Sequence, residues 1–176
     1  MQRRTFFSLV TLPLLNVPYR ERTDKPFVVQ TNQTRFNENL GGGSRNDLKI
    51  SAKDTDGQLA IFEIHSKGKT GPALHIHYDQ DEIVSIIEGD YLFQVGAEKM
   101  KLKVGDTLFI PRGTPHAFVH LGEGTGRKTS TYQPAGNIEE MFRQIGLLKE
   151  LTPEKIQAAM GVNNSKVVGK PLTVKP

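Results

Sequence analysis

Residues 71–82 read Gly71-Pro72-Ala73-Leu74-His75-Ile76-His77-Tyr78-Asp79-Gln80-Asp81-Glu82. Side chains two apart on a strand share a face, so an extended backbone here presents the His75 and His77 imidazoles to one side. Residues 78–81 supply a turn, and Glu82 opens the next apolar run, so a carboxylate arrives from a neighbouring strand. A third imidazole, His116, ends Pro111-Arg112-Gly113-Thr114-Pro115-His116 and can reach the same point from across a barrel. A lone His is most often a surface or hydrogen-bonding residue, and a lone Glu at a strand end a solvated one. The combination points elsewhere. Three imidazoles and one carboxylate suit a divalent first-row metal, and an octahedral ion held by them keeps open positions.

Outward from this stretch the chain alternates apolar and polar residues in short runs: 48–52, 59–65, 74–78, 83–87, 91–95, 107–110 and 117–121. Each is of strand length, rich in Ile, Val, Phe and Leu, and bounded by Gly, Pro or Asp. Glu88-Gly89-Asp90 and Gly96-Ala97-Glu98 read as turns between them. That spacing predicts an all-β barrel or jelly roll. From residue 136 the period changes: Ile138, Met141, Phe142 and Ile145 recur at helical spacing behind Asn137, an expected N-cap. Thr152-Pro153-Glu154 opens a second short helix whose apolar face is Ile156, Ala159 and Met160, and Gly161 stops it. No internal repeat is visible, so one barrel is expected. The chain divides into an N-terminal arm over 1–45, a barrel over 46–135, and C-terminal helices and tail over 136–176.

Composition bounds the chemistry. A chain of 176 residues with 36% apolar content suits a single globular domain. Seventeen glycines and ten prolines favour many tight turns. With no cysteine, disulfides, thiolate nucleophiles and Cys-ligated metal sites are excluded, leaving His and carboxylates as the strong ligands. The net charge of +4 is scattered, with no basic block interleaved with aromatics, so neither a nucleic-acid nor a membrane partner is expected. The first seventeen residues carry Arg3-Arg4 and then the apolar run from Phe6 to Leu15, which resembles a twin-arginine export signal without a small-x-small cleavage site. The other reading is an arm packed on the barrel or on a second copy. Location is therefore cytoplasmic or periplasmic on this reading, and the apolar arm favours a homodimer.

The motifs resemble those of the cupin superfamily. His75-x-His77, four residues, Glu82, six residues and Gly89 follow the first cupin motif from its HxH onward. Gly71 and Gly68 bracket the position where the family has its leading Gly. Gly105, five residues, Pro111, one residue, Gly113, two residues and His116 follow the second, with His120 where the family usually has Asn. Tyr132-Gln133-Pro134-Ala135-Gly136, the helix over 138–145 and the ending 161–172 are similar to bacterial single-barrel, quercetin-dioxygenase-like cupins. The resemblance covers roughly residues 45–175. It implies a double-stranded β-helix and a metal (Fe, Mn, Ni, Co or Zn) on His75, His77, Glu82 and His116, and it adds that single-barrel cupins commonly pair.

Activity does not follow from fold alone. A metal-dependent dioxygenase acting on a small organic substrate leads, with the metal as Lewis acid or dioxygen partner and Glu82 as ligand or base. Alternatives are a sugar-type isomerase or epimerase, and a non-catalytic barrel that holds metal and ligand. Phe62, Ile64, Tyr91, Phe93, Phe109 and Phe118 are candidate pocket or core residues. His120, four residues from His116, is a candidate general base or hydrogen-bonding partner beside the metal.

Overall fold

The computed structural model describes residues 22–38, 40–41 and 44–174. The apolar stretch from Phe6 to Leu15, with both readings offered for it, lies outside them.

The expected all-β architecture is present as two antiparallel five-stranded sheets. Among the described residues, ten strands, β1 (Arg45–Ile50), β2 (Ala60–Lys67), β3 (Ala73–His77), β4 (Asp81–Glu88), β5 (Tyr91–Val95), β6 (Glu98–Leu102), β7 (Thr107–Ile110), β8 (His116–His120), β9 (Thr125–Gln133) and β10 (Ser165–Pro171), are joined by α1 (Ile138–Leu147) and α2 (Pro153–Gly161) before the last strand. One sheet has the order β1-β2-β9-β4-β7 and the other β10-β3-β8-β5-β6. Alternate side chains of both sheets point into the shared interior, where Phe62, Val84, Tyr91, Phe93 and Ile110 are buried.

Three strands escaped the reading of apolar alternation. β9 (Thr-Gly-Arg-Lys-Thr-Ser-Thr-Tyr-Gln) is polar in both phases, yet it is the central strand of its sheet, pairing with β2 and β4 along its whole length. Its inward side chains include Lys128, Ser130 and Tyr132, so hydrophobicity could not betray its period. β6 is an edge strand guarded by Lys99 and Lys101, and β10 arrives 32 residues after β9 ends, from within the expected tail. Because β10 pairs with β3, the C-terminal segment is part of the double sheet as well as a cap on it. Phe109 belongs to the opposite phase of β7 from Ile110 and is 57% exposed; it is no pocket residue.

Helix α1 forms where its apolar spacing predicts, and Asn137 precedes it. Its side chain does not cap the helix; it donates to the Val162 carbonyl instead, at 3.1 Å. Thr152 does cap α2, its hydroxyl accepting from Lys155 N–H at 3.4 Å behind Pro153. Ile138 and Met141 of α1 and Met160 of α2 pack in one cluster with Leu40, Leu48, Phe62 and Tyr132. Phe142 stacks on Phe62 with centroids 4.7 Å apart and meets the Tyr132 ring edge-on at 6.1 Å. Glu139 ties the same helix to the end of β1 by accepting from Ser51 Oγ and Ala52 N–H.

Phe62 joins barrel to helices in this cluster and is fully buried. Phe62→Ala should therefore cost about 3–5 kcal/mol of unfolding free energy. Urea denaturation followed by circular dichroism checks this; a loss below 1 kcal/mol would mean that the helices are not packed on the barrel through this ring.

Candidate metal centre

Strand geometry builds the site. His75 and His77 share the inward face of β3, and His75 pairs directly with His116 on β8. The His75 and His116 rings lie 4.3 Å apart between centroids, and His77 lies 5.0 and 5.4 Å from those two. One ring nitrogen from each falls within 4.8 Å of the others. Glu82 comes from β4 in the opposite sheet, so the centre lies where the two sheets face each other. Its Oε2 meets His116 Nε2 at 3.1 Å, and the carboxylate is 4% exposed. The mutual 4.8 Å cluster comprises the three histidines, and Glu82 joins it through His116.

Each imidazole is committed at Nδ1. His75 and His116 lie 2.8 and 2.9 Å from the carbonyl oxygens of Ala73 and Thr114, and His77 lies 2.8 Å from Ser165 Oγ. A carbonyl oxygen only accepts, so Nδ1 of His75 and of His116 carries the hydrogen, and Nε2 is the nitrogen left to face the centre. That is the arrangement a metal-ligating histidine requires, its second nitrogen held by an outer partner. His116 Nε2 faces the Glu82 carboxylate in hydrogen-bond contact, and a cation between the two would take the place of the proton they share. The donor set therefore fits a divalent transition metal.

Electrostatics agree with neutral imidazoles at His75 and His77. Burial holds His75 well below the ordinary histidine value, and the neighbouring His116 and His77 push the same way against Glu82. Burial likewise lowers His77 to about 4, with Glu82 opposing. Burial alone would raise Glu82, but the His116 hydrogen bond and the charges of His116, Lys128 and His77 outweigh it and keep its carboxyl well below the usual carboxylate range.

Two further groups of the interior were not singled out as site residues. Tyr132 pairs across strands with Glu82, and its ring lies 5.4 Å edge-on to His77. Burial, then the Glu82 charge, raises its phenol well above the ordinary value, so it stays a protonated donor. Lys128 is fully buried, its Nζ donating to Ser130 Oγ at 2.8 Å and standing 4.2 Å over the Phe118 ring. Burial lowers this ammonium to about 8, against the pull of Glu82. The Lys-x-Ser-x-Tyr spacing of β9 is the sequence pattern that could have found both, had that strand been recognised.

His120 is not brought to the cluster. It shares the inward face of β8 with His116, but four residues of strand separate the two by roughly 13 Å. It faces Tyr91 with ring centroids 5.2 Å apart, and its Nδ1 lies 3.1 Å from the Gly68 carbonyl. Gly126 makes room there: a Cβ at that position would stand 2.5 Å from both His120 Cδ2 and the Tyr91 hydroxyl. His120 thus packs the far end of the barrel, apart from the three-histidine cluster. Two surface depressions along the arm, one lined by Phe27, Val29 and Lys49, the other by Asn32, Arg45 and Asp47, contain no residue of the centre.

Fold and site together define a small double-sheet β-barrel with a three-histidine cluster positioned to bind a metal in its interior. The family profile described as Cupin domain matches residues 60–132. An uncharacterized protein of Methanocaldococcus jannaschii is 45% identical over 63 residues, 36% of this chain and 47% of that protein. Quercetin 2,3-dioxygenase of Bacillus subtilis is 31% identical over 90 residues, 49% of this chain and 26% of that enzyme. The chain thus matches less than half the length of these curated relatives. The structure of a protein described as a predicted oxalate decarboxylase from Thermotoga maritima superposes with a TM-score of 0.56 at 17% identity, over 62% of this chain and 99% of that one, which shows a shared fold. Residues 60–132 of this chain thus match the cupin domain, and the shared double-sheet fold agrees with that match.

The buried imidazoles predict how stability depends on pH. The folded-state value of His77 lies below its unfolded value of 6.5, so between pH 6.5 and about 4 the unfolded chain binds a proton that the folded one refuses. Stability should be unaffected by this group above that window and fall by on the order of 3 kcal/mol across it as pH drops. Glu82, also lowered, continues the decline below pH 4.5. Urea titrations of chelator-treated protein at stepped pH test this, and a flat profile from pH 7 to 4 would contradict it.

Proposed function

We propose that this protein is a metal-dependent oxidoreductase of the dioxygenase type, acting on a small organic substrate that presents an enolate or phenolate oxygen. The observation that carries the reading is the donor set: His75, His77 and His116 clustered within 4.8 Å, with the Glu82 carboxylate beside them. A first-row divalent ion held there would supply Lewis acidity toward a substrate oxygen and, for iron or manganese, a partner for dioxygen. The likeness to a protein named quercetin 2,3-dioxygenase supports the same class.

The surrounding residues favour an anionic substrate. Lys128 is a buried ammonium, and among the described residues its one hydrogen-bond acceptor is Ser130 Oγ. With neutral imidazoles, a divalent ion, one carboxylate and one ammonium leave the barrel interior with excess positive charge. An enolate or phenolate oxygen offsets that excess, whereas a neutral ligand leaves it uncompensated in a medium of low dielectric. Glu82 can accept a proton from the bound substrate, and the Tyr132 phenol beside it can donate one.

That last pair also supports a second reading, an isomerase or epimerase that shuttles a proton without oxygen. Such chemistry needs acid and base groups in the pocket, and Tyr132, paired with Glu82 across the strands, and the buried Lys128 are side chains of that kind. The two readings separate in one experiment. Metal-loaded protein screened against flavonols and other enols should consume dioxygen; exchange of substrate hydrogen with deuterated solvent, without oxygen uptake, would favour the isomerase.

His77→Ala should abolish both metal uptake and turnover while costing comparatively little stability, because the sheets pack through Phe62, Phe93 and Tyr91. Metal content measured by elemental analysis, alongside a melting curve, checks this. If both the variant and the chelated wild type unfold, the ion is structural, and a non-catalytic binding barrel becomes the better account.

A further inference from the structure

His75 and His116 are steered from within their own chain neighbourhoods, each by the carbonyl two residues back. His77 is steered from 88 residues away, by Ser165 on β10, its cross-strand partner. A serine hydroxyl can donate or accept, so this contact alone does not say which nitrogen of His77 holds the hydrogen. The bonds behind Ser165 do.

The hydrogen-bond relay starts at a group with no choice. The backbone N–H of Asn137, at the start of α1, only donates, and it meets Asn163 Oδ1 at 2.9 Å. That fixes the Asn163 amide, whose Nδ2 then donates to Gln80 Oε1 at 2.9 Å and to Ser165 Oγ at 3.2 Å. The arrangement that satisfies every contact of Ser165 at once sends its single hydroxyl hydrogen to the Asn163 backbone carbonyl at 3.2 Å. A hydroxyl has one hydrogen and two lone pairs. With the hydrogen spent and one lone pair filled by Asn163, the position left for His77 is an acceptor. In that arrangement Nδ1 of His77 donates, and its Nε2 keeps the lone pair.

Water has little opportunity to scramble this order. Gln80, Asn163 and Ser165 are each 3% exposed and His77 2%. The backbone is pressed against the relay at Gly136, whose φ of +54° suits glycine and where a Cβ would run into the Gln80 amide. On the far side, Gln157 of α2 accepts from Val167 N–H at 2.8 Å and holds the start of β10 against the helix.

We propose that Ser165, oriented by Asn163 and Gln80, is a positioning residue that locks His77 in the Nδ1–H tautomer, so that docking of the α2–β10 segment completes the metal centre. The tautomer lock stands on the hydrogen bonds alone; its purpose rests on the metal-centre reading above. Loss of such an outer partner typically costs 10–100-fold in metal affinity.

The test reads the tautomer first. In two-bond proton–nitrogen spectra of chelator-treated wild type, His77 should show a protonated Nδ1 and a bare Nε2. Ser165→Ala should lose that preference and bind Co(II) about 10–100-fold more weakly at an unchanged near-ultraviolet circular dichroism spectrum. Ser165→Thr, which keeps the hydroxyl, should restore both. Wild-type His77 in the Nε2–H form overturns the proposal with no variant needed, which also decides the matter should Ser165→Ala fail to fold. A folded Ser165→Ala that keeps the Nδ1–H form and full cobalt affinity overturns it equally. Wild type with the Nδ1–H tautomer but no cobalt uptake supports the lock and overturns the metal reading instead.

Discussion

A carboxylate held almost out of water between two β-sheets is the constraint around which this barrel is organised. Glu82 is 4% exposed, and an isolated charge in such a place would be prohibitively costly. It stays ionised because His116 touches it, because Lys128 is buried in the same interior, and because His77 is near. Lys128 in turn remains tolerable inside the barrel through Ser130, the Phe118 ring face and the opposing charge of Glu82. Neither charge would survive alone. Removing one partner of a buried pair leaves the other uncompensated, so each makes the other necessary.

The three imidazoles solve a related problem. Burial keeps His75 and His77 neutral at ordinary pH, and neutral imidazole is the form that ligates a metal. Their Nδ1 atoms are occupied by fixed partners, which leaves the Nε2 atoms to converge. Two of those partners are local carbonyls, so strands β3 and β8 carry their own instructions. The third depends on β10, a strand that the chain supplies only after two helices. Tyr132 links the same regions, with its ring against both His77 and Phe142 of α1. The helices are therefore coupled to the centre by packing on one side and by hydrogen bonds on the other.

Much of this was legible in the amino-acid order. The HxH pair, its spacing to Glu82 and the Gly-Pro-Gly-His framework of the second motif are properties of single strands and turns. Period two along a strand is enough to say that His75 and His77 point the same way. The apolar runs located β2, β4, β5 and β8, and the helical spacing located α1 and α2. Local patterns of this kind depend on neighbours within a few residues, which is all that a sequence read along its length supplies.

What the sequence could not determine is distance across elements. Period two assigns His116 and His120 to one face, but only the length of β8 within the barrel separates a member of the histidine cluster from a packing residue at the far end. β9 hid its strand character because a barrel interior that houses Glu82 also accepts Lys128, Ser130 and Tyr132, and polar residues in both phases erase the alternation. Asn137 looked like a helix cap, yet tertiary contact drew its side chain to Val162. Ser165, 88 residues from His77, becomes its partner through the register of β10 on β3. The sequence by itself determined which residues can ligate a metal and which way each faces on its own strand. Only the tertiary structure decided which of them meet, because strand pairing and sheet closure are set by packing summed over the whole chain.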